Sequence, residues 1–168
     1  MERANLNSRV AAYKEQLDIG TIQTAYTELV KFVMSLKSHF ARELQDQFAF
    51  GGIFQGYMDY TYFYFTNESL QKRKLKLGLV LNHPDMRFEI WLLGQTKKVQ
   101  EQYWNLFRKT NWVQTDSIPR YSIFEHILIP HPDFDDLDYL RKSIQESLTK
   151  TSDRILASLH QIDPPQSG

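Results

Sequence analysis

Apolar residues recur at three- and four-residue steps through Ile22, Tyr26, Leu29, Val33, Leu36, Phe40 and Leu44. That spacing predicts one apolar face on a helix of about 25 residues beginning near Thr21. Val10, Tyr13 and Leu17 mark a shorter helix before it, ended by Gly20, which is free to take the left-handed conformation that closes a helix. The helical period stops at Gly51-Gly52-Ile53-Phe54-Gln55-Gly56, where three glycines in six residues predict a tight, close-packed turn. Beyond it, Tyr57 to Phe65 is dense in aromatics at both alternating sets of positions and reads as a strand covered on both sides.

Two alternating segments follow. Leu75, Leu77, Leu79 and Leu81 alternate with Lys76, Gly78, Val80 and Asn82, and Met86, Phe88, Ile90 and Leu92 alternate with Arg87, Glu89, Trp91 and Leu93. Both patterns predict half-buried strands. A turn at Asn82-His83-Pro84-Asp85 pairs Leu81 with Met86, Leu79 with Phe88, Leu77 with Ile90 and Leu75 with Leu92. Slipping by one residue would set leucines opposite Arg87 and Glu89, so the pattern specifies an antiparallel hairpin with one apolar and one polar face.

After Gly94, a stripe of Val99, Tyr103, Leu106 and Phe107 predicts a helix capped by Thr96 and ending before Asn111-Trp112. Tyr121 to Ile129 reads as a fourth strand closed by Pro130, and Leu137, Leu140, Ile144, Leu148, Ile155 and Leu159 mark a long closing helix. The acidic cluster from Asp133 to Asp138 suits the start of that helix. The predicted order is α-α-β-β-β-α-β-α, an α+β fold with a mainly antiparallel sheet of about four strands covered by helices. A single domain spans residues 1–162, and residues 163–168, with Pro164 and Pro165, form a disordered tail.

Composition narrows the function classes. The chain has 168 residues, of which 42% are hydrophobic, an ordinary share for a folded domain and too high for a disordered one. Twenty basic residues balance twenty acidic ones, so no global field draws the protein to nucleic acid or an anionic membrane. Zero cysteines removes disulfides, thiolate metal sites and a cysteine nucleophile. The first residues carry no apolar run behind their charge, so no signal peptide or spanning helix is expected and the cytoplasm is the default address.

Strong catalytic and nucleotide-binding motifs are missing: there is no Walker-type loop, no Gly-x-Gly-x-x-Gly, no Gly-x-Ser-x-Gly and no His-Glu-x-x-His. The segment from Asp133 lacks the sixth-position glycine and twelfth-position glutamate of a calcium loop, having Ile144 at the latter, and is better read as helix capping. The five histidines show no zinc-ligand spacing, and His126, inside a predicted strand, is the one placed to act as a base or a hydrogen-bonded structural group. Tyr57, Tyr60, Tyr62, Tyr64, Phe63 and Phe65 resemble a stacking platform for single strands, but only Lys72-Arg73-Lys74 supplies basic charge nearby, which favours an aromatic core. The polar hairpin face is the constellation with chemistry to offer. Lys76, Arg87, Glu89 and Trp91 project together there, and Asp59 and His126 from the neighbouring strands complete a candidate binding face.

The stretches Gly51-Gly52-Ile53-Phe54-Gln55-Gly56-Tyr57-Met58-Asp59-Tyr60, Lys76-Leu77-Gly78-Leu79-Val80-Leu81-Asn82-His83 and Arg87-Phe88-Glu89-Ile90-Trp91-Leu92 resemble an uncharacterised family of short bacterial proteins. That resemblance covers nearly the whole chain and implies no activity. The element order is also similar to the core of restriction-endonuclease-like folds, whose signature sets an acidic residue on the second core strand and Glu-x-Lys on the third. Leu75 to Leu81 carries no carboxylate, and Glu89-Ile90-Trp91 has tryptophan in place of the lysine, so this likeness implies an inactive relative.

The sequence therefore predicts a soluble binding or interaction module, with no catalytic, cofactor-binding or metal-ligating residue assigned and no partner identified. The competing expectation is a metal-dependent nucleic-acid hydrolase using Asp59 and Glu89 with Glu43 or Asp46. A homodimer through an edge strand or the closing helix is a third.

Overall fold

The computed structural model describes residues 5–162, so the predicted tail at 163–168 lies outside the described residues. Its elements run α1 (Leu6–Ile19), α2 (Thr21–Glu43), β1 (Ala49–Phe54), β2 (Tyr60–Thr66), α3 (Glu68–Lys72), β3 (Leu75–Asn82), β4 (Arg87–Gly94), α4 (Lys97–Phe107), β5 (Phe124–Ile129) and α5 (Leu137–Ile162). The five strands form one antiparallel meander in the order β1-β2-β3-β4-β5. The α+β class and antiparallel sheet are as expected, with one more strand and one more helix than the sequence pattern predicts.

The extra strand is β1, where a glycine turn was expected. Gly51 and Gly52 lie inside it, at a β-bulge between the Phe50↔Phe65 and Ile53↔Phe63 pairs. An edge strand tolerates glycines at a bulge, because the irregular ladder there removes the need for a packed side chain. The chain reverses later, through Gly56 (φ 74°) and Met58 (φ 61°), where the Asp59 carboxylate accepts from the N–H groups of Tyr57 (2.8 Å) and Tyr60 (2.7 Å). The extra helix, α3, is a short one whose Asn67 side chain accepts from Leu70 N at 2.9 Å and whose Leu70 is fully buried.

Several helix ends have a local cause. Asn5 caps α1 by accepting from Ser8 N, Gly20 closes it at φ 82°, and Thr96 caps α4 by accepting from Val99 N. At the start of α5 the Asp136 carboxylate accepts from Tyr139 N at 3.1 Å, as the acidic cluster foretold. Val30, Val33, Leu36 and Phe40 of α2, Tyr103 and Phe107 of α4, and Ile144, Leu148 and Ile155 of α5 all pack into the core. The α1 stripe does not: Val10 and Tyr13 are exposed, and α1 has no buried residue.

The hairpin keeps its predicted faces but not its predicted pairs. Leu81 lies opposite Phe88, Leu79 opposite Ile90, Leu77 opposite Leu92 and Leu75 opposite Gly94, two residues from the expected register. The turn keeps its four residues but sits one position later, at 83–86, because Asn82 Oδ1 accepts from Asp85 N at 3.1 Å and Met86 takes a left-handed φ of 48°, leaving Asn82 opposite Arg87. A shift of two preserves side-chain parity, so every leucine stays on the core face.

That face, with Phe63, Phe65, Leu77, Leu79, Leu81, Phe88, Ile90 and Leu92, forms one cluster with helix residues. The other face forms a separate cluster built from strands alone: Val80, Trp91 and Leu93 with Tyr60, Tyr62 and Tyr64 beside them. Strand β2 is thus covered by helices on one side only, contrary to the two-sided burial that its aromatic density suggested. Among the described residues no helix is long and apolar enough to cross a membrane.

Candidate functional site

The site follows from strand periodicity and register. On the side away from the core helices, one row across the sheet reads Tyr62, Val80, Glu89 and Ile127, and the next reads Tyr64, Gly78, Trp91 and Glu125. Gly78 sits in the middle of the second row, where a Cβ would meet Leu93 Cδ1 at 3.3 Å and Tyr64 Cδ1 at 3.4 Å. The missing side chain lets Leu93 and Tyr64 close over Gly78, and both line a concavity of about 470 Å³. Its walls are Tyr60, Tyr62, Tyr64 and Trp91 from the sheet, Phe54 and Tyr57 on one rim, and Tyr121 on the other.

The rings hold one another in place. Phe54 stacks on Tyr62 with centroids 5.0 Å apart and planes 16° apart, while Tyr60 meets Trp91 edge-on at 5.0 Å. Lys76 lays its ammonium 3.8 Å from the centroid of the Tyr64 ring, a cation–π contact, and has no carboxylate partner among the described residues. Partial burial lowers the Lys76 ammonium below its usual pKa. Burial likewise pushes the Tyr64 phenol up to about 12, with help from Tyr62, and raises that of Tyr60, so both stay neutral hydrogen-bonding hydroxyls.

Beside this concavity, Glu89 is 1% exposed and receives three donors. Arg87 Nε reaches Oε2 at 2.6 Å, Asn82 Nδ2 reaches the same oxygen at 3.0 Å, and Trp91 Nε1 donates to Oε1 at 2.7 Å. A buried carboxylate persists when it is paired and hydrogen-bonded in this way, and here it fixes the Trp91 indole as part of the wall. Arg87, Glu89, Glu125 and His126 also border a second hollow of about 430 Å³ toward the β5 edge. Burial raises the carboxyl of Glu125, the Ser122 hydroxyl opposes that rise, and the charge of Glu89 adds to it.

The predicted residues are therefore brought together in part. Lys76 and Trp91 line the aromatic concavity, Arg87 and Glu89 anchor its wall, and Asp59 stands at its rim with its carboxylate spent on the Gly56–Tyr60 turn. His126 lies on the opposite face, paired with Ile90 and set edge-on against Trp112 at 5.3 Å, because the even positions of β5 point to the core side. Burial, and secondarily Arg154, lowers its pKa. Among the described residues no group of three or more histidines and carboxylates lies close enough to hold a metal ion. The carboxylates proposed for hydrolysis do not converge: Asp59 serves its turn and Glu89 serves Arg87, Asn82 and Trp91.

Sequence reading missed Phe54, Tyr62, Tyr64 and Tyr121 as members of the site. The signal was the alternation of hydroxylated and plain residues in β2, since Tyr60, Tyr62 and Tyr64 take the open face and Phe63 and Phe65 the core. Tyrosine suits a half-wet surface because its ring is apolar and its hydroxyl can stay hydrated.

No curated protein matches the chain, and no solved structure matches it. A family model described as "Domain of unknown function (DUF7000)" matches residues 6–159, nearly everything the structure describes, and the chain belongs to that family.

Proposed function

We propose that this domain is a non-catalytic binding module whose ligand face is the open side of the sheet, and that it takes a planar aromatic group bearing an anionic substituent. The observation that carries the reading is the aromatic-lined concavity, about 470 Å³ in size, on a face that contributes no residue to the helix-covered core. Several large rings left beside a groove cost hydration free energy, at roughly 25 cal/mol per Å² of apolar surface, which a flat apolar ligand would recover. Edge and face contacts with Tyr62, Trp91 and Phe54 would add stacking to that burial. Lys76 gives the charge preference. Its ammonium is partly desolvated and among the described residues has only an aromatic ring as partner, so a carboxylate brought to it gains a charge-assisted hydrogen bond without displacing an ion pair there.

The test is titration of 2-naphthoate into isotope-labelled protein, followed through the indole N–H of Trp91 and the amide of Gly78. Saturable shifts confined to β1–β4 and to the rim around Tyr57 and Tyr121 are expected, weaker for 2-naphthalenemethanol, which lacks the charge, and for cyclohexanecarboxylate, which lacks the flat ring. Lys76→Gln should remove the preference for the acid over the alcohol. Unmoved Trp91 and Gly78 signals at millimolar naphthoate would overturn the proposal.

A further inference from the structure

A separate cavity of about 470 Å³ lies between α5 and the loop joining α4 to β5, on the side of the sheet away from the aromatic concavity. Arg154, His126, Asn111, Gln114 and Gln161 contribute to its lining, and among the described residues no acidic side chain does; the hollow bordered by Glu89 and Glu125 adjoins it and shares Asn111, Trp112, Gln114 and His126. Arg154 is a cation without an ion pair or a hydrogen-bonded partner among the described residues, and its guanidinium carbon lies 5.0 Å from the Trp112 ring centroid. That ring is itself fixed. Its Nε1 donates to Ser158 Oγ at 3.0 Å, and its face stacks on Phe124 at 5.0 Å with an interplanar angle of 19°.

A guanidinium laid against a fixed aromatic ring is oriented before a ligand arrives, and its edge of N–H donors stays available. The side-chain amides of Asn111, Gln114 and Gln161 make no protein hydrogen bond among the described residues either, so they can turn donors toward the same space. His126 lines the same cavity, and its imidazole carries at least one N–H donor in either tautomer. A cavity with one oriented cation, several free donors and no carboxylate among its described lining residues is complementary to a group that offers acceptors on all sides and carries negative charge. We infer that the Arg154–His126 cavity is an oxyanion site for a phosphate-class group, independent of the ligand face on the open side of the sheet.

The experiment titrates inorganic phosphate into the full chain at constant ionic strength, reading the His126 ring proton and the Trp112 indole N–H by NMR. Saturable shifts at both are expected with phosphate and not with an equivalent addition of chloride. Arg154→Gln, an exposed position, should weaken binding by about tenfold or more, the worth of a charge-assisted pair. Arg154→Lys, which keeps the charge and loses the fork, should fall between the two. Phenyl phosphate run alongside distinguishes the source of the group: tighter binding than inorganic phosphate supports a phosphorylated organic molecule, and equal binding supports the free ion. Identical titrations for wild type and Arg154→Gln, or equal shifts with chloride, would overturn the site.

Discussion

Trp91 donates its indole N–H to Glu89 Oε1 at 2.7 Å across a separation of two residues on the same strand, tying a wall of the aromatic concavity to a carboxylate that is 1% exposed. Glu89 is an acceptor-only hub, since Arg87 and Asn82 donate to its other oxygen. Glu89→Gln keeps the shape but replaces one acceptor by an NH₂ facing a donor, and removes the charge that balances Arg87. Equilibrium urea unfolding should show a loss of about 2–4 kcal/mol. Trp91→Phe, which deletes one donor and leaves the ion pair intact, should cost less, about 1–2 kcal/mol. A neutral Glu89→Gln would mean that the hub is not what holds the indole.

Gly56 is the position in the β1–β2 turn that cannot accept a side chain. At φ 74°, a Cβ would stand 2.2 Å from the Tyr60 carbonyl oxygen and 2.6 Å from Asp59 Oδ1. Both atoms are held, the carboxylate by two backbone N–H groups, so neither can retreat cheaply. Gly56→Ala should destabilise the fold by about 2 kcal/mol or more. Because Tyr57 and Tyr60 frame the concavity, the same variant should also weaken 2-naphthoate binding. Unchanged stability with normal binding would show that the turn adopts another conformation in solution.

Acid should weaken the fold through two histidines. Thr61 Oγ1 donates to Gln55 O at 2.9 Å, so His83 Nε2, 2.8 Å from the same hydroxyl, must be the donor in that pair. Burial lowers the pKa of His83 below its ordinary 6.5, with Asp59 opposing, and burial lowers that of His126 as well. For a base with a depressed folded pKa the unfolded chain binds more protons, so stability is full above 6.5 and is lost as pH falls below it. Glu125, raised above its ordinary 4.5, acts in the opposite sense, so the measurement belongs in a Glu125→Gln background. The urea midpoint should fall between about pH 7.5 and about pH 5.5, and fall less when His83 is replaced by Gln. Asp59 is held below its ordinary 3.8 by the Tyr57 and Tyr60 N–H groups, so its contribution is lost only in more acid solution. A flat midpoint across that window would refute the histidine account.

What the sequence disclosed was set by periodicity, and what it hid was set by backbone geometry. The parity of Leu75 to Leu92 identified both faces of the central hairpin, yet the pairing was displaced by two residues because a left-handed Met86 and an Asn82–Asp85 hydrogen bond are not visible in an apolar pattern. Strand β1 was hidden for a related reason, since glycines signal a turn unless a neighbouring strand accommodates them at a bulge. Within the site, Lys76, Arg87, Glu89 and Trp91 were legible from alternation alone. The tyrosine wall was not, because density of aromatics conceals which rings carry hydroxyls on which side. His126 was misassigned to that face because the Tyr121–Ile129 pattern gave β5 no internal parity to fix it, whereas its pairing with Ile90 does.

Helix α1 offers the last prediction. It has a well-formed cap at each end, yet no residue of it is buried, and Val10, Tyr13 and Ile19 are exposed at 53%, 65% and 60%. A 14-residue helix is marginal in water without a packed face, so caps and the Lys14–Asp18 pair at 2.7 Å must hold α1 against fraying. The adjoining α2 buries Val33, Leu36 and Phe40 and opens only with the core. Amide hydrogen exchange should therefore separate two helices that meet at Gly20: rapid exchange along α1, and protection approaching the global unfolding limit in the α2 segment around Val33 to Phe40. Gly20→Ala, which forces a side chain into φ 82° but meets no atom within 4 Å, should loosen α1 while leaving α2 protection unchanged. Protection of α1 equal to that of α2 would require a covering surface, and sedimentation would then show association of the chain with itself.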